Sequence, residues 1–142
     1  MGWASVINES DFLTLNLTQK PNAGRFEEGS YNTVGLCGLQ ASLSLLLEIG
    51  LAKIEQRVLD LTSHLISHLE EKGGYRILSP TDHRDERSGI VVFQSDRFSS
   101  DHLYRILTHN AVACTNRGGM IRLAPHFYNT YQELDFVSQI LP

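Results

Sequence analysis

From Leu51 to Lys72, apolar residues return on one side of a helical repeat: Ile54, Val58, Leu61, Leu65 and Leu69 stand three or four positions apart. A stripe of that length predicts a long amphipathic helix, which must lie against a second layer. "EEKGG" at 70–74 closes the helix with two glycines. Short β-rich runs follow: "YRILS" (75–79), "SGIVVFQS" (88–95), "AVACT" (111–115) and "MIRLAP" (120–125). "PTDHRDERS" (80–88) reads as a solvated loop, and "NRGG" (116–119) as a hairpin-like turn. Residues 101–110 predict a helix with Leu103, Ile106 and Leu107 inward. Residues 130–141 predict another, opened by the capping box Thr130-x-x-Glu133 and burying Leu134, Val137, Ile140 and Leu141. Ahead of the long helix, Leu39, Leu43, Leu46 and Leu47 share a helical face over 33–49, with Asn32 as N-cap and Gly50 as stop. The order is arm, α, α, β, β, α, β, β, α. It predicts an α+β fold: a two-layer sandwich, mostly antiparallel, with helices on one face. Residues 1–32 are expected to form an extended arm and interdomain segment, and 33–142 a small α+β domain.

Composition narrows the partners. The 142 residues suit one domain with its own core. A formal charge of −4 disfavours a general electrostatic grip on nucleic acid or an anionic membrane. No run approaches the roughly 18 apolar residues of a membrane span. The start lacks the basic and apolar regions of a signal peptide. A cytoplasmic location is the default expectation. Cys37 and Cys114 form no metal-binding or disulfide pattern. His64 and His68 are spaced i, i+4, as zinc ligands can be, yet no acidic third ligand stands at a helpful spacing, and no metal site is expected.

Two phrases carry candidate chemistry. Arg122 lies in a predicted strand, and alternation places it opposite Ile121 and Leu123. Its planar fork matches a carboxylate. The alternative is a solvent-facing arginine on an edge strand, or one paired with an acidic side chain. Gly29 and Ser30, in "RFEEGSYN" (25–32), precede a predicted helix start. There, backbone N–H groups, a hydroxyl and the helix dipole favour an anion. The alternative is a plain turn and cap.

The phrases "GWASV" (2–6), "RFEEGSYN" (25–32), "TVGLCGLQASL" (33–43) and "NRGGMIRLAPHFYNT" (116–130) occur in this order along essentially the whole chain. Together they resemble the C-terminal small domain of class V aminotransferase-family enzymes, which are pyridoxal-phosphate (PLP) proteins of the aspartate aminotransferase fold. The family's phrases run Gly-Trp-x-Ser-Val, Arg-Phe-Glu-x-Gly-Thr-x-Asn, a Gly-rich helix, then Arg-x-Gly-x-x-Arg before Tyr-Asn-Thr. The resemblance implies that Arg122 binds the substrate's α-carboxylate. It implies that Gly29 and Ser30 contact the cofactor phosphate across a homodimer, with serine standing where the family has threonine. Arg25, Glu27 and Asn129 match as holders of their loops. The family's Schiff-base lysine lies upstream of the Gly-Trp phrase, and neither Lys20, Lys53 nor Lys72 matches it. The implied picture is a fragment that begins at a domain boundary. It would lack the N-terminal PLP-binding large domain, hold no cofactor and no catalytic residue of its own, and be inactive alone. Desulfurases of the family carry a longer loop with a reactive cysteine before the final arginine. Only Gly118, Gly119, Met120 and Ile121 separate Arg117 from Arg122, so an aminotransferase, epimerase or lyase acting on an amino acid is the expected parent. The alternative is a free-standing α+β domain that regulates or binds a small carboxylate.

Overall fold

The computed structural model describes residues 2–14 and 16–142; Met1 and Leu15 lie outside them. The chain divides into two compact units, Met1–Leu45 and Leu46–Pro142.

The second unit begins with the end of α1 (Thr33–Ile49). It continues with α2 (Leu51–Lys72), β1 (Tyr75–Ile77), β2 (Val91–Ser95), α3 (Ser100–His109), β3 (Thr115–Arg117), β4 (Met120–Leu123) and α4 (Tyr131–Ile140). The four strands form one sheet in the order β1-β2-β4-β3, every pair antiparallel. Because side chains alternate across a strand, Val91, Phe93, Ile121 and Leu123 point to one face and are buried. They meet Leu61, Leu65 and Leu69 of α2, Leu103 and Leu107 of α3, and Leu134 and Val137 of α4 in a single core. The expected two-layer α+β sandwich with helices on one face is therefore the fold observed.

Helix ends follow local chemistry. The Ser99 hydroxyl accepts from the His102 N–H at 3.3 Å and starts α3. The α2 stop places the Gly73 N–H on the carbonyls of Glu70 and Leu69, at 3.1 and 3.3 Å. Thr130 opens α4 as a complete capping box. Its hydroxyl accepts from the Glu133 N–H at 3.2 Å, and the Glu133 carboxylate accepts from the Thr130 N–H at 2.7 Å. That N–H, followed by the Asn129 amide, holds the Glu133 carboxyl below the usual glutamate range. A carboxyl with a lowered folded-state pKa stabilises the fold above its unfolded pKa, and the contribution is lost as pH falls through the folded value. Thr130→Ala is expected to cost about 1 kcal/mol at neutral pH. Urea unfolding should show a smaller acid-side loss for Glu133→Gln than for the wild type, Asp11 being a second carboxyl held low.

One strand forms later than expected. Residues 111–114 are not in the sheet; β3 starts at Thr115. The cause is the exit from α3. Ala111 takes a left-handed φ of 59°, and the Val112 N–H returns to the Leu107 carbonyl at 2.9 Å. Those groups serve the helix end and are unavailable to a strand. The charged loop is also less free than its composition suggests, since Arg87 donates to the Leu59 carbonyl of α2 at 3.2 Å.

The first unit contains most of α1 and a chain folded back on itself. The Ile7 N–H donates to the Thr18 carbonyl and the Lys20 N–H to the Ser5 carbonyl, both at 3.0 Å. Ser5 is fully buried, and its hydroxyl takes the Gly2 N–H at 3.1 Å while donating to the Glu27 carbonyl at 2.8 Å. Gly2 and Gly29 are required here by close approach. A Cβ on Gly2 would lie 1.7 Å from the Glu28 carbonyl oxygen, and one on Gly29 2.7 Å from the Trp3 indole nitrogen. The Gly-Trp and Glu-Glu-Gly phrases are thus two sides of one contact. α1 buries none of its residues. Leu39, Leu43 and Leu47 of its apolar face are 55, 49 and 69% exposed. No single helix among the described residues is long and apolar enough to cross a membrane.

Candidate functional site

Arg122 lies on β4, an inner strand, with Val92 of β2 on one side and Thr115 of β3 on the other. Its neighbours Ile121 and Leu123 are buried, and its own side chain is exposed on the opposite face. Of the two bland readings, the edge strand is replaced by a central one. Ion pairing also fails, because among the described residues no acidic side chain bridges its guanidinium. The same register brings Arg76 of β1 and Arg117 of β3 onto this face, both exposed. Arg76 donates to the side-chain carbonyl of Gln94. The remaining strand residues on the face are Val92, Gln94, Met120 and Thr115, none of them acidic. An open sheet face with three guanidiniums and no carboxylate suits an anion.

The geometry of the hairpin places Arg122. Gly118 and Gly119 form the whole connection between β3 and β4, with φ of 61° and 78°. Positive φ at both positions is the mark of the type I′ turn, which glycine enters without a steric cost. Behind β4, residues 125–130 are pinned. The Asn129 carboxamide oxygen accepts from the His126 N–H at 2.8 Å, and Arg57 of α2 donates to the Asn129 carbonyl at 2.9 Å. Asn129 thus sits in the position of a loop holder. His126, which the sequence reading passed over, stacks on Tyr128 with ring centroids 5.1 Å apart and keeps a buried Nδ1 without a partner. No spacing signal marks it.

Gly29 and Ser30 belong to the first unit, Arg122 to the second. Gly29 lies against Trp3, and Ser30 is exposed. The start of α1 is already capped, since the Asn32 side chain accepts from the Gly35 N–H at 2.9 Å. Arg25 and Glu27 serve local structure. The Arg25 guanidinium lies 4.9 Å from the Phe26 ring, and Tyr31 donates to the Glu27 carboxylate at 3.2 Å. Of the three lysines, Lys20 pairs with Glu9, and Lys72 donates to the Ser138 carbonyl at 2.8 Å.

Three further features bear on chemistry. A cleft of about 640 Å³ opens between the α3–β3 connection and α4, but Arg122 does not line it. Cys114 is half-buried, and burial pushes its thiol pKa up, away from a reactive thiolate. His64 and His68 meet an acidic side chain that no sequence spacing marks: Asp135 of α4 approaches His64 Nε2 at 2.6 Å and His68 Nδ1 at 3.5 Å. It comes from a different helix, so spacing along α2 could not reveal it.

Known proteins place this geometry. Residues 5–137 match the sequence model of the family described as Aminotransferase class-V. An uncharacterized aminotransferase of Bacillus subtilis, YcbU, is 31% identical over 79% of this chain and 29% of its own length. A probable cysteine desulfurase of Xylella fastidiosa is 26% identical over 99% of this chain and 36% of its own. The chain therefore spans about a third of the length of these relatives. Among solved structures, the cysteine desulfurase of Thermococcus onnurineus superposes with a TM-score of 0.78 at 20% identity, covering 99% of this chain and 37% of that one. The cystine C-S lyase C-DES superposes with a TM-score of 0.73 at 18% identity, covering 99% and 37%. At these identities the likeness shows the fold, that of the small domain of PLP enzymes. With nearly its whole length matched by the family's sequence model, the chain belongs to the class V aminotransferase family.

Proposed function

We propose that this chain serves as the substrate-binding small domain of a homodimeric PLP-dependent enzyme acting on an amino acid, and that it is inactive without the region that carries the cofactor. The observation that carries the reading is Arg122: exposed, unpaired, and fixed on an inner strand whose other face is in the core. In this reading the Arg122 fork grips the substrate's α-carboxylate in two parallel hydrogen bonds. The Gly29 backbone and the Ser30 hydroxyl contact the cofactor phosphate of the partner subunit. PLP, when bound, supplies the electron sink for chemistry at the amino acid's α-carbon. This chain's own residues bind and orient. The exposed apolar face of α1 supports the reading, because a surface of that kind is normally covered by another part of an assembly.

The reaction branch is an aminotransferase, epimerase or lyase rather than a desulfurase that uses a cysteine on the β3–β4 connection. That connection is Gly118 and Gly119 alone, and Cys114 is half-buried before β3. A cytoplasmic location accords with two free cysteines.

The proposal requires that no lysine of this chain be the cofactor's attachment point. Incubation with PLP, borohydride reduction and peptide mass mapping should give only scattered, substoichiometric labelling of Lys20, Lys53 and Lys72. Stoichiometric labelling of one of them would place a complete cofactor site here and overturn the division of labour. The competing reading, a free-standing carboxylate-binding domain, predicts instead saturable amino-acid binding by this chain alone.

A further inference from the structure

We propose that His64, His68 and Asp135 form a binding site for a first-row divalent transition ion of the zinc class. The site lies in the helical layer, with the sheet between it and the face that displays Arg122.

The ligand set is built by two helices. His64 and His68, one turn apart on α2, set their rings side by side, with centroids 4.2 Å apart and a 42° tilt between them. Asp135 of α4 offers Oδ1 to both, 2.6 Å from His64 Nε2 and 3.5 Å from His68 Nδ1. All three donor atoms lie within 4.8 Å of one another. Tetrahedral zinc with bonds near 2.0–2.1 Å needs donors about 3.3 Å apart. The His68–Asp135 separation already meets that spacing. The His64–Asp135 separation must open by less than an ångström, a small rotamer change.

The chemistry selects the ion class. Two imidazole nitrogens and one carboxylate oxygen suit zinc and its first-row neighbours. Calcium and magnesium prefer all-oxygen shells. The three side chains are 29, 31 and 36% exposed, so an ion can enter and water can complete the coordination. His64 is also oriented from outside the set: Tyr131 of α4 meets its ring edge-on, at a centroid distance of 4.9 Å and an angle of 64°. In the metal-free protein, the His64–Asp135 hydrogen bond is held by a proton on Nε2. The ion takes that position, and the neutral ring carries its single proton on Nδ1 instead. The consequence is a clamp between α2 and α4.

The test uses the 142-residue chain stripped with a chelator, carrying Cys37→Ser to remove the exposed thiol. Titration with cobalt(II) chloride should give visible ligand-field absorption that saturates at one equivalent and is displaced by zinc. Asp135→Asn should weaken cobalt affinity by at least ~10-fold, the loss that follows from weakening even an outer partner of a metal ligand. His64→Ala and His68→Ala should do the same. At one zinc concentration, the Tm of the wild type should rise by more than that of the folded Asp135→Asn protein. A second readout needs no substitution at the site: zinc should shift the imidazole NMR resonances of His64 and His68 and spare those of His83, His102 and His109. Absence of saturable binding would overturn the proposal. So would binding that survives these substitutions, or zinc shifts confined to the other histidines.

Discussion

Arg122→Ala, made in a polypeptide that also carries the cofactor-binding region, is expected to lower kcat/KM for the amino-acid substrate by roughly 30-fold to several-thousand-fold. That span corresponds to the about 2–5 kcal/mol lost when one partner of a hydrogen-bonded charge pair is removed. Arg122→Lys should fall between wild type and alanine, because it keeps the charge and loses the planar fork. An amine analogue without the carboxylate should be handled equally by wild type and Arg122→Ala, which separates loss of a substrate contact from general damage. Stability is the internal control. The side chain is exposed and unpaired, so its removal should change unfolding free energy by no more than about 0.5 kcal/mol. Unchanged kinetics in a folded variant would end the carboxylate assignment.

The largest effect on folding is expected from Phe93→Ala, at about 3–5 kcal/mol in urea unfolding. Phe93 is fully buried on β2, sits directly across from Ile121, and meets the Tyr75 ring edge-on with centroids 5.7 Å apart. Truncation leaves a void beneath the two inner strands, and rings so packed contribute beyond their area. Against a total stability of about 5–15 kcal/mol for a typical domain, this loss is a large share, and at the low end of that range it is the whole. Phe93→Leu should retain most of the stability, because it keeps the site filled. Equal loss in both variants would point to the aromatic contact with Tyr75 rather than to volume.

The periodicity of α2 and the capping box of α4 were legible because each rests on residues close in sequence. The Gly-Gly turn was legible for the same reason, and alternation within "MIRLAP" was enough to separate Arg122 from its buried neighbours. Three things were not. The late start of β3 depends on how α3 ends, and a left-handed alanine gives no compositional warning. The leucine spacing of α1 marked a helix with an apolar face, but periodicity does not say what covers such a face, and none of its residues is buried. The third ligand beside His64 and His68 arrives from α4, 71 positions away from His64, and only the packing of two helices brings it there.

The two-residue link between Arg117 and Met120 also bears on how this family member could change over time. Side chains on a strand alternate with a period of two, so one extra residue inside β4 would turn Arg122 into the core and push Ile121 out. Residues added at the tip of the link leave the pairing of Arg117 with Met120 untouched. They cost little, because loop closure grows by only about 0.6 kcal/mol for each doubling of length. The tip is thus a place where evolution or an engineer can graft a new reactive group beside the arginine while inheriting its placement. A single residue inserted a few positions further along would instead reverse the two faces of β4 beyond that point.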